Sequence, residues 1–143
     1  MAGELLLDTG ALVSLLDRSQ SYHRECVGVL DDWEGSLVST EAVLTEATHL
    51  LGRVPGGRRA CVEFVLAGGV VLVPSTLDSL RRVRDLLETY SDLPMDYADA
   101  TLVVLAEDLS TNLIFTTDRR DFEIYRIKGR KRFHVVPRHS KRD

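Results

Sequence analysis

Four acidic residues lie at positions where a carboxylate could take part in catalysis or bind a metal ion. Asp8 directly follows the first apolar run of the chain, and Asp118 follows the apolar run at 112–115. Glu46 and Asp99 each lie beside the apolar stripe of a predicted helix, at the edge of the face that should be buried. A single acid in such a position usually caps a helix or is solvated. A chemical role is therefore indicated only if all four acids lie at one site.

If these four carboxylates converge, they need a counter-charge. Two unit charges about 5 Å apart repel by roughly 3 kcal/mol at an effective dielectric constant of 20. A divalent cation would supply the missing charge, and all-oxygen ligands suit Mg²⁺ or Mn²⁺ better than Zn²⁺. His49 is a further candidate ligand, although a solvated side chain or a backbone contact fits it better. Carboxylate-held Mg²⁺ can support phosphodiester hydrolysis without a side-chain nucleophile.

The elements that must position these acids alternate between strands and helices. The predicted strands are 5–7, 37–38, 70–73, 112–115 and 134–136. The predicted helices are 9–16, 22–33, 41–51, 58–67, 76–90 and 95–109. This alternation indicates an α/β fold, doubly wound, with a mainly parallel central sheet flanked by helices. Ligands bind at the carboxyl edge of such a sheet, which is where Asp8 and Asp118 are expected.

Length and composition bound the class of protein. The 143 residues fit a single domain, 1–143, which can bury a core without a disulfide or metal staple. The two cysteines do not form a metal-type cluster and predict free thiols in a reducing cytoplasm. No apolar run approaches the roughly 20 residues of a membrane helix, and no signal-peptide pattern opens the chain. We therefore expect a cytoplasmic protein with no membrane partner.

Charge is distributed unevenly along the chain. The net charge of −4 divides into −11 for residues 1–125 and +7 for residues 126–143. A basic C-terminal segment, 126–143, which includes the last predicted strand, therefore follows an acidic body. Such a segment is usually solubilising surface, but it is also the usual sequence footprint of a nucleic-acid contact. The sequence leaves both interpretations open.

Four short motifs occur in order along the chain. They are Asp8-Thr9-Gly10-Ala11-Leu12, the octapeptide STEAVLTE at 39–46, DYADA at 96–100 and TTDRRDF at 116–122. Together they resemble the PIN domain, and specifically the VapC type of toxin ribonuclease. Each motif alone is weak, but four in order over almost the whole chain are specific. The resemblance implies strand order 3-2-1-4-5 and a catalytic metal site made by Asp8, Glu46, Asp99 and Asp118.

The same resemblance implies a function and partners. It implies an endoribonuclease that hydrolyses RNA phosphodiester bonds with Mg²⁺ or Mn²⁺, is commonly a homodimer, and is paired with a cognate antitoxin protein. The alternative is a PIN-like domain kept as a non-catalytic RNA-binding or protein-interaction module, against which the complete set of acids argues. Two other phosphate-handling folds fit poorly. A dehalogenase-type pattern requires an Asp at the position of Gly10. A response-regulator receiver requires a Lys on a late strand, and no Lys precedes Lys128 in this sequence.

Residues around the four acids are candidates for supporting roles. Those that could hydrogen-bond the metal, its ligands or its water are Thr9, Asp96, Thr116, Thr117 and Asp121. Those that could contact RNA phosphates are Arg119, Arg120, Arg130, Lys131 and Arg132. Each also has an ordinary interpretation, because threonines cap helices, loop acids are solvated and loop arginines are usually exposed.

Overall fold

The computed structural model describes residues 3–138 and contains a parallel sheet, a small hairpin and seven α-helices. The strands are β1 (Glu4–Leu7), β2 (Ser36–Ser39), β3 (Val71–Leu72), β4 (Leu113–Phe115), β5 (Arg126–Ile127), β6 (Lys131–Arg132) and β7 (His134–Val136). The helices are α1 (Thr9–Leu16), α2 (His23–Asp32), α3 (Glu41–Leu50), α4 (Gly57–Leu66), α5 (Leu77–Thr89), α6 (Tyr97–Leu109) and α7 (Arg119–Ile124), with a 3₁₀ turn at Leu51–Arg53.

The sheet has the predicted topology. Its order is β3-β2-β1-β4-β7, and every neighbouring pair is parallel. Since β7 is the fifth strand of this sheet, the predicted order 3-2-1-4-5 and the α/β class are confirmed. The short strands β5 and β6 form a separate antiparallel hairpin.

The central strand β1 is buried on both faces. Leu5, Leu6 and Leu7 are at most 1% exposed, and Leu6 is in register with Val38 of β2 and Ile114 of β4. A continuous apolar run suits such a position because helices cover both faces of a parallel sheet.

Helix α6 contains the longest buried stretch among the helices of residues 3–138. Its residues 98–106 are all buried, and it packs against β1, α3 and α5. A helix that is apolar nearly all round belongs in the interior, so the single carboxylate in this stretch, Asp99, stands out. No helix within residues 3–138 is both long and apolar enough to span a bilayer.

Three features differ from the sequence expectations. The strand predicted at 70–73 is only two residues long and lies at the sheet edge, so Val71 is 55% exposed. Helix α7 was not predicted because its six residues are too few to show a helical period. The hairpin of β5 and β6 was not predicted either, because its two-residue strands are basic and carry no alternating pattern.

The hairpin is fixed against α5 and α6 by polar contacts. Arg82 donates two hydrogen bonds to Glu107, at 2.8 and 2.9 Å, and Glu107 also accepts from the backbone N–H of Lys128. The Tyr90 hydroxyl accepts from the backbone N–H of Arg126 at 2.9 Å. Segment 125–132 therefore runs along α6 toward the helix end farthest from Asp99.

We expect Gly57→Ala to destabilise the fold. A Cβ at Gly57 would collide with the Leu51 carbonyl oxygen and lie 3.0 Å from Val54 Cβ. Overpacking of this kind costs about 1–3 kcal/mol, measurable by urea denaturation. Gly52→Ala is the control, because the nearest atom, Arg58 Cδ, is 3.9 Å away. Equal unfolding midpoints for the two variants would contradict this packing.

Candidate active site

The four acidic residues lie at the carboxyl edge of the sheet. Asp8 is the first residue after β1, and Asp118 lies in the loop that follows β4. Glu46 lies in the second turn of α3, and Asp99 lies in the first turn of α6. The ends of parallel strands and the starts of the helices beyond them line one crevice, as the sequence predicts.

Thr116 connects the first and last of these acids. Its hydroxyl donates to Asp8 Oδ2 at 2.6 Å and accepts from the backbone N–H of Asp118 at 2.9 Å. The Asp8 N–H in turn donates to the Phe115 carbonyl at 2.9 Å, which extends the pairing of β1 with β4 by one residue. The ends of the two strands are thereby locked together with both carboxylates at the same edge.

Glu46 is oriented by Thr9. The Thr9 hydroxyl donates to Glu46 Oε1 at 2.9 Å and so joins the first turn of α1 to α3. Thr9 is buried and Glu46 is half-buried, so the carboxylate keeps one side toward solvent. The threonine next to Asp8 therefore positions a second acid of the cluster.

Asp99 points into the protein. Its residue is 9% exposed, and its Oδ2 accepts a hydrogen bond from the Tyr125 hydroxyl at 3.0 Å. Asp99 also forms a capping box with Asp96, whose Oδ1 accepts from the Asp99 N–H at 2.8 Å. The capping box starts α6, while the Tyr125 contact fixes the buried carboxyl.

Burial and mutual repulsion perturb this cluster. Desolvation raises the pKa of Asp8 to about 6, opposed by the Thr116 hydrogen bond and assisted by the charges of Asp118 and Asp96. Desolvation raises the pKa of Asp99 to about 8, and the charges of Asp8 and Asp96 raise it further. Burial and neighbouring Asp96 likewise raise the pKa of Glu46. Each acid therefore lies within electrostatic reach of another.

No cation in the described part of the chain compensates these acids. The ion pairs within residues 3–138 are Arg81–Asp78, Arg82–Glu107, Arg84–Asp85 and Arg119–Glu123, and none includes a member of the cluster. Buried carboxylates without a cation are costly, which is the environment that a bound metal ion would relieve.

The donor chemistry fits Mg²⁺ or Mn²⁺. Every candidate ligand atom is a carboxylate oxygen, and the neighbouring groups are hydroxyls. Asp8, Glu46 and Asp99 each accept a hydrogen bond from one of these hydroxyls. Among residues 3–138, no three His, Cys, Asp or Glu side chains lie close enough together, as they are placed, to hold a metal ion.

Comparison with known proteins identifies the family. The PIN-domain family model matches residues 5–128, which is most of the chain. The chain is a PIN-domain protein. It is 31% identical to ribonuclease VapC26 of Mycobacterium tuberculosis over 135 residues, covering 93% of this chain and 100% of that protein. The chain therefore belongs with the VapC ribonucleases of the PIN family.

Solved structures support the fold. VapC20 of Mycobacterium tuberculosis, described as a toxin that cleaves the sarcin-ricin loop, has a TM-score of 0.72 at 18% identity, covering 81% of this chain and 91% of that one. A toxin–antitoxin complex from Klebsiella pneumoniae has a TM-score of 0.62 at 20% identity, covering 92% of this chain and 95% of that one.

Two residues of this PIN-domain site were missed at the sequence level. Tyr125, the donor to Asp99, lies 26 positions away from it and belongs to no local pattern. Gly10 lies inside the first motif, but its role emerges only in three dimensions, because a Cβ there would collide with Thr117 Oγ1. This glycine lets α1 approach the loop that carries Asp118.

The remaining acids of the predicted set lie at the rim. Asp96 is exposed and Asp121 is half-buried beside Asp118, whose Oδ1 accepts from the Asp121 N–H at 3.4 Å. Burial, followed by the Asp118 carboxylate, raises the pKa of Asp121. His49 is exposed on α3.

Arg119 has a structural contact that its sequence interpretation did not anticipate. Its Nη2 donates to the carbonyls of Val135 at 3.2 Å and Pro137 at 2.7 Å, and its Nη1 contacts Glu123. The guanidinium therefore holds the end of β7 against α7. A contact with RNA phosphate stays a prediction for Arg119 and for the exposed Arg120.

The basic hairpin lies at the opposite edge of the sheet from the acids. Arg130, Lys131 and Arg132 are exposed, and the Arg132 carbonyl accepts from Asn112, which precedes β4. Residues 139–143 lie outside the described residues. Arg138, by contrast, is exposed directly after β7 and thus at the edge that carries the acids.

We expect Asp99→Asn to stabilise the metal-free protein as pH rises. The unfolded carboxyl loses its proton near 3.8, whereas the folded carboxyl holds it to about pH 8. Ionisation therefore opposes folding increasingly from about pH 4 to pH 8, and the amide escapes this cost. Thermal melts in EDTA should show equal midpoints near pH 4 and a higher midpoint for the variant at pH 8.

Millimolar Mn²⁺ is the control for this prediction. It should raise the midpoint of the wild-type protein at pH 8 by mass action and leave Asp99→Asn nearly unchanged, because the variant lacks a ligand. A pH-independent difference between the two proteins would contradict the assigned environment of Asp99.

Proposed function

We propose that this chain is a Mg²⁺- or Mn²⁺-dependent endoribonuclease and the toxin of a VapBC-type toxin–antitoxin pair. The observation that carries the proposal is that four carboxylates lie at the carboxyl edge of the sheet and two of them, Asp8 and Asp99, are buried without a cation. A divalent cation held by these acids would acidify a water molecule and would neutralise charge on the scissile phosphate. The relatives named as ribonuclease and toxin support the substrate class.

The chain's own residues divide into ligands and positioning groups. Asp8, Glu46, Asp99 and Asp118 would hold the cation. Thr116, Thr9 and Tyr125 orient three of these carboxylates by the hydrogen bonds described above. Asp96, Asp121 and Thr117 line the rim, where they could hydrogen-bond water. Oriented hydroxyls limit the motion of the carboxylates, which favours one coordination geometry over many.

Partners follow from the relatives rather than from the site. The Klebsiella pneumoniae relative is described as a toxin–antitoxin complex, which supports a cognate antitoxin for this chain. A homodimer and a cytoplasmic location are proposed on the same resemblance to VapC proteins.

Each of Asp8→Asn, Glu46→Gln, Asp99→Asn and Asp118→Asn should lower Mn²⁺-dependent cleavage of RNA by roughly 100-fold or more. Loss of a ligand should cost at least as much as the 10- to 100-fold typical of groups that only orient ligands. Asp31→Asn, an exposed acid on α2, is the control and should keep wild-type activity.

Circular dichroism must show all five variants folded. Cleavage that survives in two or more of the ligand variants would overturn the metal site. RNA binding without any cleavage by the wild-type protein would favour the non-catalytic module.

Two arginines at the acidic edge are the better placed RNA contacts. Arg120 and Arg138 are exposed on that edge, whereas Arg130, Lys131 and Arg132 are exposed at the opposite one. Asp99 and Glu107 are separated by about 12 Å along α6, at a rise of 1.5 Å per residue. The hairpin contacts Glu107 and therefore lies at the end of α6 that is far from Asp99. RNA bound at the acids would reach the hairpin only by wrapping around the protein.

The salt dependence of RNA binding separates these surfaces. We expect Arg120→Gln/Arg138→Gln to flatten the log–log salt slope by up to roughly 0.7 per lost single-strand phosphate contact. The charge-matched variant Arg130→Gln/Lys131→Gln should keep the wild-type slope. A larger loss in the hairpin variant would place the RNA path along the basic segment instead.

A further inference from the structure

We infer that Tyr97 is a substrate-binding residue on which a nucleobase of single-stranded RNA stacks beside the carboxylate cluster. The inference deepens the proposed ribonuclease function and rests on it. Tyr97 is the first residue of α6, is 44% exposed and directly follows Asp96, which lies at the rim of the acidic site.

The ring lies in a shallow cavity that adjoins the site. The cavity has a volume of about 390 Å³ and is lined by Ala42, Thr45, Glu46, Asp96, Tyr97 and Ala98. Glu46 belongs to the proposed metal site, and Asp96 caps the helix that carries Asp99. A group bound in this cavity would therefore lie next to the reacting phosphate.

The fold gives Tyr97 no structural task. Among the described residues its ring takes part in none of the aromatic contacts, which join Tyr90, Phe122, Tyr125 and Phe133. Its hydroxyl has no hydrogen-bond partner within residues 3–138. The start of α6 is already capped by Asp96 and Asp99, so helix formation does not require an aromatic residue here.

The lining of the cavity selects a neutral, planar ligand. Ala42 and Ala98 leave open space beside the ring, and the only charged groups in the lining are the carboxylates of Glu46 and Asp96. These acids repel a phosphate but not a nucleobase. Every base has a π-face, and stacking on an exposed aromatic side chain is a general mode of binding unpaired RNA.

This assignment also solves a difficulty of the proposed function. An acidic edge attracts RNA poorly before metal binds, and two exposed cations at this edge, Arg120 and Arg138, lie on α7 and after β7. Tyr97 lies on a different element, beside Glu46. A base held there and phosphates held by the arginines would stretch the strand across the cluster.

The test measures RNA binding without cleavage. All variants carry Asp8→Asn in the full chain, and the probe is a short single-stranded RNA with 2-aminopurine at successive positions. Tyr97→Ala should weaken binding roughly 5- to 100-fold, the range that stacking of one base provides. Tyr97→Phe and Tyr97→Trp keep a ring and should retain binding and the fluorescence quenching of one 2-aminopurine.

Two controls make the result specific. Tyr22→Ala removes a comparably exposed tyrosine, at 39%, from the start of α2, beyond the far end of α1. It should bind like the parent. With an abasic site at the quenched position, the parent protein and Tyr97→Ala should bind the RNA with equal affinity, because no base then remains to stack on the ring.

In the protein with Asp8 intact, Tyr97→Ala should raise KM for RNA with little loss of kcat. Tyr97→Ala that binds and cleaves like Tyr97→Phe would overturn the inference while leaving the ribonuclease proposal in place. If no RNA is cleaved with Mn²⁺ although binding depends on the ring, the ribonuclease proposal fails and base stacking at Tyr97 is upheld.

Discussion

The repulsion between buried carboxylates is the constraint on which the site depends. Asp8 and Asp99 are each less than a tenth exposed, the charge of Asp8 raises the pKa of Asp99, and no ion pair within residues 3–138 includes either acid. Only rigid elements can hold such groups. Asp8 directly follows the buried strand β1, and Asp99 lies in the long buried stretch of α6, so the core that stabilises these two elements also holds the unfavourable cluster.

Hydroxyl groups make this arrangement tolerable without neutralising it. Thr116, Tyr125 and Thr9 each donate to one carboxylate, so the lone pairs of Asp8, Asp99 and Glu46 are partly satisfied. A lysine or arginine in their place would satisfy the charge itself and remove the need for a metal ion. Because the donors are hydroxyls and not cations, the acids are oriented but their negative charge is not neutralised. A divalent cation can still bind to this charge.

The sheet order could be predicted because four short motifs resemble a known family, whereas β1 and β4 could be predicted from their apolar runs. Because both strands are parallel, the acid that follows each of them lies at the carboxyl edge. Tyr125 and the packing role of Gly10 could not be predicted, because each is defined by a partner distant in sequence. The structural contacts of Arg119 could not be predicted for the same reason, because its carbonyl partners on and after β7 are visible only in the folded chain.

The distribution of charge over the folded surface changes how the basic segment should be interpreted. In the sequence the basic segment follows the acidic body without interruption, but β7 runs from one edge of the sheet to the other and so divides the segment between two surfaces. Arg138 lies at the acidic edge, whereas Arg130 and Lys131 lie at the opposite edge. With few cations near the acids, recognition of RNA there must draw on contacts that are not ionic, which gives the exposed ring beside Glu46 more weight in binding than its size alone suggests.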